Sequence, residues 1–203
     1  MTNMAYPKLI ENLIEQLNKL PGVGRRSAER MVYWLLNSKP EEVKNLTDSI
    51  TTLKEKLRFC RRCNHLTDLE VCSMCMDATR DQKTICVVED PKDVIAIERS
   101  GSYKGAYHVL LGTIAPQDDR GPEDLKIPGL IERIKKEGIK EVIIATDSDN
   151  EGEITALYLT KVLKPLNVPL SRIGIGIPAG SSLEYVDIST LSMSLTSRRE
   201  IKA

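Results

Sequence analysis

Thr84-Ile85-Cys86-Val87-Val88-Glu89-Asp90-Pro91 is the stretch on which the fold turns. An unbroken, mostly β-branched run stopped by two acids and a proline fits a buried strand better than one face of a helix. A helical pattern with Val94, Ile95 and Ile97 follows it. The alternation then repeats: an apolar run over Tyr107–Leu111, a helix marked by Leu130, Ile131 and Ile134 and closed by Gly138, and a strand over Glu141–Ala145 running into Thr146-Asp147. A helix over 153–164 and a further strand over Arg172–Ile177 complete it. Strands alternating with helices over about a hundred residues predict a mainly parallel sheet with helices on both faces. The tail from Ser181 reads equally as strand or helix.

Upstream of this region the period is helical. Leu9, Ile10, Leu13, Ile14, Leu17 and Leu20 form a stripe over 7–20, with Pro7 in the first turn. Pro21-Gly22-Val23-Gly24 breaks it, and Ala28, Met31, Val32, Leu35 and Leu36 begin a second stripe. A third helix is expected from Pro40 to Leu57, with Val43, Leu46, Ile50, Leu53 and Leu57 on its buried side.

Between the two regions lies Cys60-Arg-Arg-Cys63, eight residues, then Cys72-Ser-Met-Cys75. Two such knuckles bring four thiolates to one tetrahedral Zn²⁺, and four thiolates leave no open position, so the expected role is structural. An insert this short has almost no core, so the metal would supply its folding energy. Redox dithiols or an iron–sulfur cluster are the alternatives to zinc. Cys86, inside an apolar strand, reads as a small buried hydrophobe, and His65, between the knuckles, as a surface residue.

Composition narrows the classes. Hydrophobic content of 41% and charged content of 29% are ordinary for a globular chain. Aromatic residues make up only 4%, which disfavours a base-stacking platform. No apolar run is long enough to span a bilayer and the N-terminus carries no export signal, so a reducing cytoplasmic setting is expected. Net charge is zero but uneven: residues 1–62 hold twelve Lys/Arg against seven Asp/Glu, and residues 81–180 hold thirteen against sixteen. The first region suits a polyanion, the second a metal or a basic partner.

The basic region centres on the glycine turn. Gly22 and Gly24 sit at the start of the second helix, where free backbone N–H groups and the helix dipole favour an anion. Lys19, Arg25, Arg26 and Arg30 surround that turn. The grouping suits a nucleic-acid phosphate and offers no base-edge readout, so sequence-tolerant nucleic-acid binding is expected. A dinucleotide fingerprint is excluded, because a helix precedes the glycines and the third glycine is missing. The acidic counterpart is Glu89 with Asp147 and Asp149, at the C-terminal ends of strands, the ligand-binding edge of a parallel sheet. These three would hold Mg²⁺ through water, or else be solvated, with Asp149 to Glu151 capping the next helix.

Taken in order, these features resemble the RecR family of bacterial recombination mediators, over nearly the whole chain. The resemblance rests on Leu20-Pro-Gly-Val-Gly-Arg-Arg-Ser-Ala28, the four-cysteine finger ending in Arg80-Asp81, Val88-Glu-Asp-Pro91 and Tyr107-His-Val-Leu. It continues through Gly121-Pro-Glu-Asp-Leu, Glu151-Gly-Glu, Gly176-Ile-Pro-Ala-Gly180 and Ser197-Arg-Arg-Glu200. It implies an α+β chain of several parts: a helix-hairpin-helix region over 1–55, a small four-cysteine zinc finger over 56–80, an α/β Toprim domain over 81–178 and a C-terminal assembly segment over 179–203. It further implies a non-enzymatic DNA clamp, a ring-shaped homotetramer that acts with RecO and RecF to load RecA. The hairpin would face DNA, and Glu89, Asp147 and Asp149 would be the site of RecO or a divalent ion. Asp147-Ser148-Asp149 departs from the Asn-Pro of many relatives and restores the Asp-x-Asp of metal-dependent Toprim enzymes. A Mg²⁺-dependent nuclease or primase-like enzyme, with Glu89 as general base, is therefore the competing expectation. A zinc-stabilised interaction module without DNA contact is the third, and it leaves the basic hairpin unexplained.

Overall fold

A computed structural model describes residues 6–174 and 176–198. Arg199 and Glu200 of the C-terminal motif lie outside the described residues. The chain divides into two compact units, Met1–Leu57 and Arg58–Ala203.

The first unit is helical: α1 (Lys8–Leu17), α2 (Arg25–Asn37) and α3 (Pro40–Lys56). Its small core joins α1 to α2 through Ile14, Ala28 and Val32, with Ile10, Leu17 and Val23 packed around them. Pro7 is the N-cap of α1 rather than a first-turn residue. The third helix forms where expected, but its apolar side is not buried. Leu46 is 44% exposed, Ile50 58% and Leu53 56%. Helical spacing specifies an apolar face, and here the described chain supplies no element to cover it.

The second unit opens with the finger. A two-residue ladder pairs β1 (Arg58–Phe59) with β2 (Leu66–Thr67), antiparallel, and a single helical turn, α4 (Ser73–Met76), carries the second knuckle. The α/β part follows as β3 (Asp81–Val88), α5 (Pro91–Ser100), β4 (Gly105–Val109), α6 (Ile127–Glu137), β5 (Glu141–Ile144), α7 (Asn150–Leu163) and β6 (Leu170–Arg172). The sheet order is β4-β3-β5-β6, and every pair is parallel.

The alternation of side chains along these strands builds two cores. Ile85, Val87, Ala106, Val142 and Ile144 face Leu130 and Ile134 of α6 and Ala156, Leu159 and Leu163 of α7. Cys86, Val88, Tyr107 and Val109 face Val94 and Ile97 of α5, and Met74 of α4 joins them. Helices thus cover both faces, and on the second face the finger takes the place of another helix. The last strand is shorter and earlier than expected, Leu170–Arg172, because Gly174 and Gly176 offer no side chains to pack on a sheet. The ambiguous tail resolves as α8 (Ile188–Thr196), whose N-cap Asp187 accepts from the Thr190 N–H at 2.9 Å.

Local chemistry explains the strand-to-helix turns at the C-terminal edge of the sheet. After β3, Asp90 is the N-cap of α5, Pro91 fills its first turn, and the Asp90 N–H donates to Asp93 at 2.8 Å. After β5, Asp149 is the N-cap of α7 and accepts from the Gly152 N–H at 2.8 Å. Gly152 is required there: a Cβ would lie 2.2 Å from the Asp147 carbonyl oxygen and 2.9 Å from Glu89 Oε1.

Candidate metal centre and nucleic-acid surface

The four finger cysteines are all buried, and their sulfurs lie within 4.8 Å of one another. Cys63 Sγ and Cys72 Sγ are 3.5 Å apart. A tetrahedron with Zn–S bonds of ~2.3 Å has edges of about 3.8 Å, so the cluster closes on zinc with only small adjustments. The Cys72 N–H also points at Cys60 Sγ, 3.3 Å away, the kind of donor that stabilises a bound thiolate. Without metal, four thiols this close share protons. Hydrogen bonds from Cys63 and Cys75 pull Cys72 down to about 2, while the bond to Cys72 holds Cys63 well above the ordinary thiol range. Metal binding at this site therefore displaces protons. His65 is not a surface residue: it is half-buried, outside the sulfur cluster, and its carbonyl accepts from the Cys60 N–H at 2.8 Å. Cys86 is buried in β3, where desolvation raises its thiol to about 12 and leaves it inert.

In the first unit, Gly22 has φ 77, a conformation that favours glycine, and the turn closes when the Val23 N–H donates to the Leu20 carbonyl at 3.1 Å. Helix α2 begins at Arg25 with Gly24 as its N-cap and no side chain capping it, so first-turn N–H groups face outward. The expected basic residues separate into two kinds. Arg25 is exposed but paired within the unit, 2.8 Å from Glu11 of α1 and 3.2 Å from Glu29. Lys19 donates to Gln16 at 3.1 Å. Arg26 and Arg30 are exposed and form no ion pair among the described residues.

The acidic edge is built differently from a metal site. Glu89 is buried, and its Oε1 accepts the Asp147 N–H at 3.0 Å. Burial is the main reason its carboxyl is pushed up to about 7, with Asp147, Asp149 and Asp93 adding repulsion. Asp149 is occupied as a helix cap. Among the described residues, the four cysteines are the one group whose ligand atoms converge on a common point, and the carboxylates of Glu89, Asp147 and Asp149 do not.

Four family models together match most of the chain. The RecR helix-hairpin-helix model matches 10–54, the RecR four-cysteine zinc finger domain 57–77, the Toprim domain 83–174 and the RecR C-terminal model 176–199. The recombination protein RecR of Syntrophobacter fumaroxidans (strain DSM 10017 / MPOB) is 49% identical over 199 residues, covering 98% of this chain and 99% of the relative. The chain belongs to the RecR family.

In this RecR chain the finger is a structural zinc site, and three residues that spacing alone did not single out tie it to the Toprim sheet. Arg62 forms a two-pronged pair with Glu137 of α6, at 3.2 and 2.8 Å, and donates to the Cys75 carbonyl and to Gln82, both at 3.0 Å. Arg80 pairs with Glu98 of α5 at 3.0 and 2.6 Å, donates to the Gly105 carbonyl at 2.9 Å and lies over the Tyr107 ring. Asn64 takes φ 61 and donates to the Val109 carbonyl at 3.2 Å. The available signal was Arg62 in the first knuckle and Arg80 at the end of the finger, basic residues beside a thiolate site that need acids to pair with.

Proposed function

We propose that this RecR chain is a non-catalytic, cytoplasmic DNA-binding mediator of recombinational repair, an oligomeric clamp that acts with RecO and RecF to load RecA. The observation that carries the reading is the hairpin: a positive-φ Gly22 turn opening a helix on which Arg26 and Arg30 form no ion pair among the described residues. Unpaired arginines beside free N–H groups suit a phosphate backbone of any sequence. Assembly into a ring, as the family implies, is supported by an exposed apolar surface on each unit. One is the exposed face of α3, and the other is Leu183, Tyr185, Ile188 and Leu195 of the C-terminal segment. No described helix is long and apolar enough to cross a membrane. The acidic edge, with Asp147 exposed beside a buried Glu89, is the proposed RecO-facing surface.

A second reading keeps one observation of its own: Glu89, pushed up to about 7, stands where a Toprim general base would. Labelled DNA incubated with Mg²⁺ or Mn²⁺ and run on native and denaturing gels separates the two. Retarded, chemically intact DNA is the expected result. DNA cleaved or extended by the wild type but not by Glu89→Gln would make the chain an enzyme.

A further inference from the structure

Trp34 is the only tryptophan of the chain, and it is 59% exposed on α2. A side chain of this size, so largely apolar, is normally covered when a helix packs. The α1-facing side of α2 is instead carried by Ala28 and Val32, leaving the indole on another face. Arg26, Arg30 and Trp34 recur every four residues and so lie in one row along the helix. That row covers about 12 Å at 1.5 Å per residue, beginning at the glycine turn. Beside it Ser27, Arg30, Met31 and Trp34 line a shallow depression of about 360 Å³. Glu29, the one acid of α2, is turned away from this row and paired with Arg25.

We infer that Trp34 stacks on an unpaired base of single-stranded DNA whose phosphates lie on Arg26, Arg30 and the glycine turn. The inference rests on the DNA-binding reading of the hairpin and adds what it lacks, a means of telling single strands from duplex. Phosphate contacts alone cannot make that distinction, because both forms present phosphates. An indole can, because a base in a duplex already has both faces stacked while a base in a single strand offers one. The uncompensated charge in the row selects a polyanion over an apolar partner for the exposed ring. One stacking residue per chain is an anchor and not a platform, in keeping with the low aromatic content.

The sole tryptophan makes the test direct. The full-length zinc-bound protein is titrated with 5′-labelled oligo-thymidine and with a duplex of equal length, reading label anisotropy and tryptophan emission together. Emission is expected to be quenched as anisotropy saturates on the single strand and to change little on the duplex. Trp34→Leu is expected to weaken single-strand binding about ten-fold and duplex binding less than two-fold, with Trp34→Phe close to wild type. Trp34 is exposed, so these variants should fold, and zinc content and circular dichroism confirm that they do. Rising anisotropy with unchanged emission would overturn the stacking inference alone, as would equal losses on both DNA forms in Trp34→Leu. An indole shielded from iodide in DNA-free protein would show a second copy covering it and would also overturn it. Flat anisotropy with every DNA would instead overturn the DNA-binding reading itself.

Discussion

The backbone N–H of Val109, the last residue of the edge strand β4, donates to the carbonyl of Cys63 at 2.8 Å. Asn64 returns the bond, donating from its side chain to the Val109 carbonyl. The finger therefore pairs with the outer edge of the sheet at this residue, and Met74 completes the core beneath it. Edge strands carry unpaired N–H and C=O groups that invite pairing with other chains, and the metal-held loop covers this one. Zinc held by the four cysteines would therefore steady the Toprim sheet as well as the finger.

Cys72→Ser should accordingly lose the zinc equivalent in elemental analysis and also weaken the sheet it does not belong to. Two hydrogen bonds and the Met74 contact are released, a loss of roughly 2–3 kcal/mol for the Toprim unit. Urea unfolding followed by far-UV circular dichroism measures it. A metal-free variant whose sheet unfolds at the wild-type midpoint would show the finger to be independent.

Asn64 offers a finer cut through the same junction. Its φ of 61 favours glycine or asparagine, so Asn64→Gly loses only the side-chain bond, about 1 kcal/mol. Asn64→Ala loses the bond and adds left-handed backbone strain of ~1 kcal/mol. Alanine should therefore be the worse replacement, the reverse of what helix or strand propensity would suggest. Thermal unfolding of the two variants side by side checks the order.

Arg62 and Glu137 hold the other side of the finger, each less than a third exposed. Removing the arginine leaves the Glu137 carboxylate with Arg133, 3.6 Å away, as its one ion-pair partner among the described residues, and frees the Cys75 carbonyl beside the metal site. Arg62→Ala should cost about 2–3 kcal/mol. Arg62→Lys should recover less than half of that, because an ammonium cannot span the fork to Glu137 while reaching Cys75 and Gln82. Urea midpoints of the two variants give the comparison.

On the hairpin, the ion pairs distinguish arginines that the sequence presents as equivalent. Arg26→Ala and Arg30→Ala should each lower DNA affinity similarly across sequences and reduce the salt slope by about one. Arg25→Ala breaks pairs to Glu11 and Glu29 and should lower the melting temperature with a smaller effect on affinity. Fluorescence anisotropy at several salt concentrations decides, and a larger affinity loss at Arg25 would reverse the assignment.

The parts of this molecule written in local spacing were legible before any coordinates. Cys60, Cys63, Cys72 and Cys75 converge as two knuckles must, and the run from Thr84 to Val88 lies at the centre of a parallel sheet. Gly138 ends α6 in the left-handed conformation expected of it. What spacing could not give was partnership across distance. Leu46, Ile50 and Leu53 have the period of a buried face, but period does not say whether the cover lies in the same chain. Glu89, Asp147 and Asp149 fall at strand ends as metal ligands do, but a backbone N–H claims one and a helix start another. Arg62 and Glu137 are 75 residues apart, and no local pattern links them.

Two buried groups make stability depend on pH in opposite directions. His108 is buried and hydrogen-bonded through Nε2 to the Lys126 carbonyl, so Nε2 carries the proton, and desolvation lowers the ring to about 4. Below pH ~6.5 the unfolded chain binds a proton that the folded one refuses, so this residue removes stability as pH falls from 6.5 towards 4. Glu89 is raised to about 7, and the folded chain keeps its proton where the unfolded chain has lost it. It removes stability as pH rises from 4.5 through 7, and its cost is complete at pH 8. Between 4.5 and 6.5 the two slopes offset each other. Glu89→Gln retains an oxygen to accept the Asp147 N–H and abolishes one slope. It should be more stable than wild type by roughly 1–3 kcal/mol at pH 8, equal to it near pH 4.5, and should expose the His108 decline on acidification. Urea midpoints at pH 4.5, 6.5 and 8 measure this, and a gain that stays constant with pH would mean that Glu89 is not the carboxyl being desolvated.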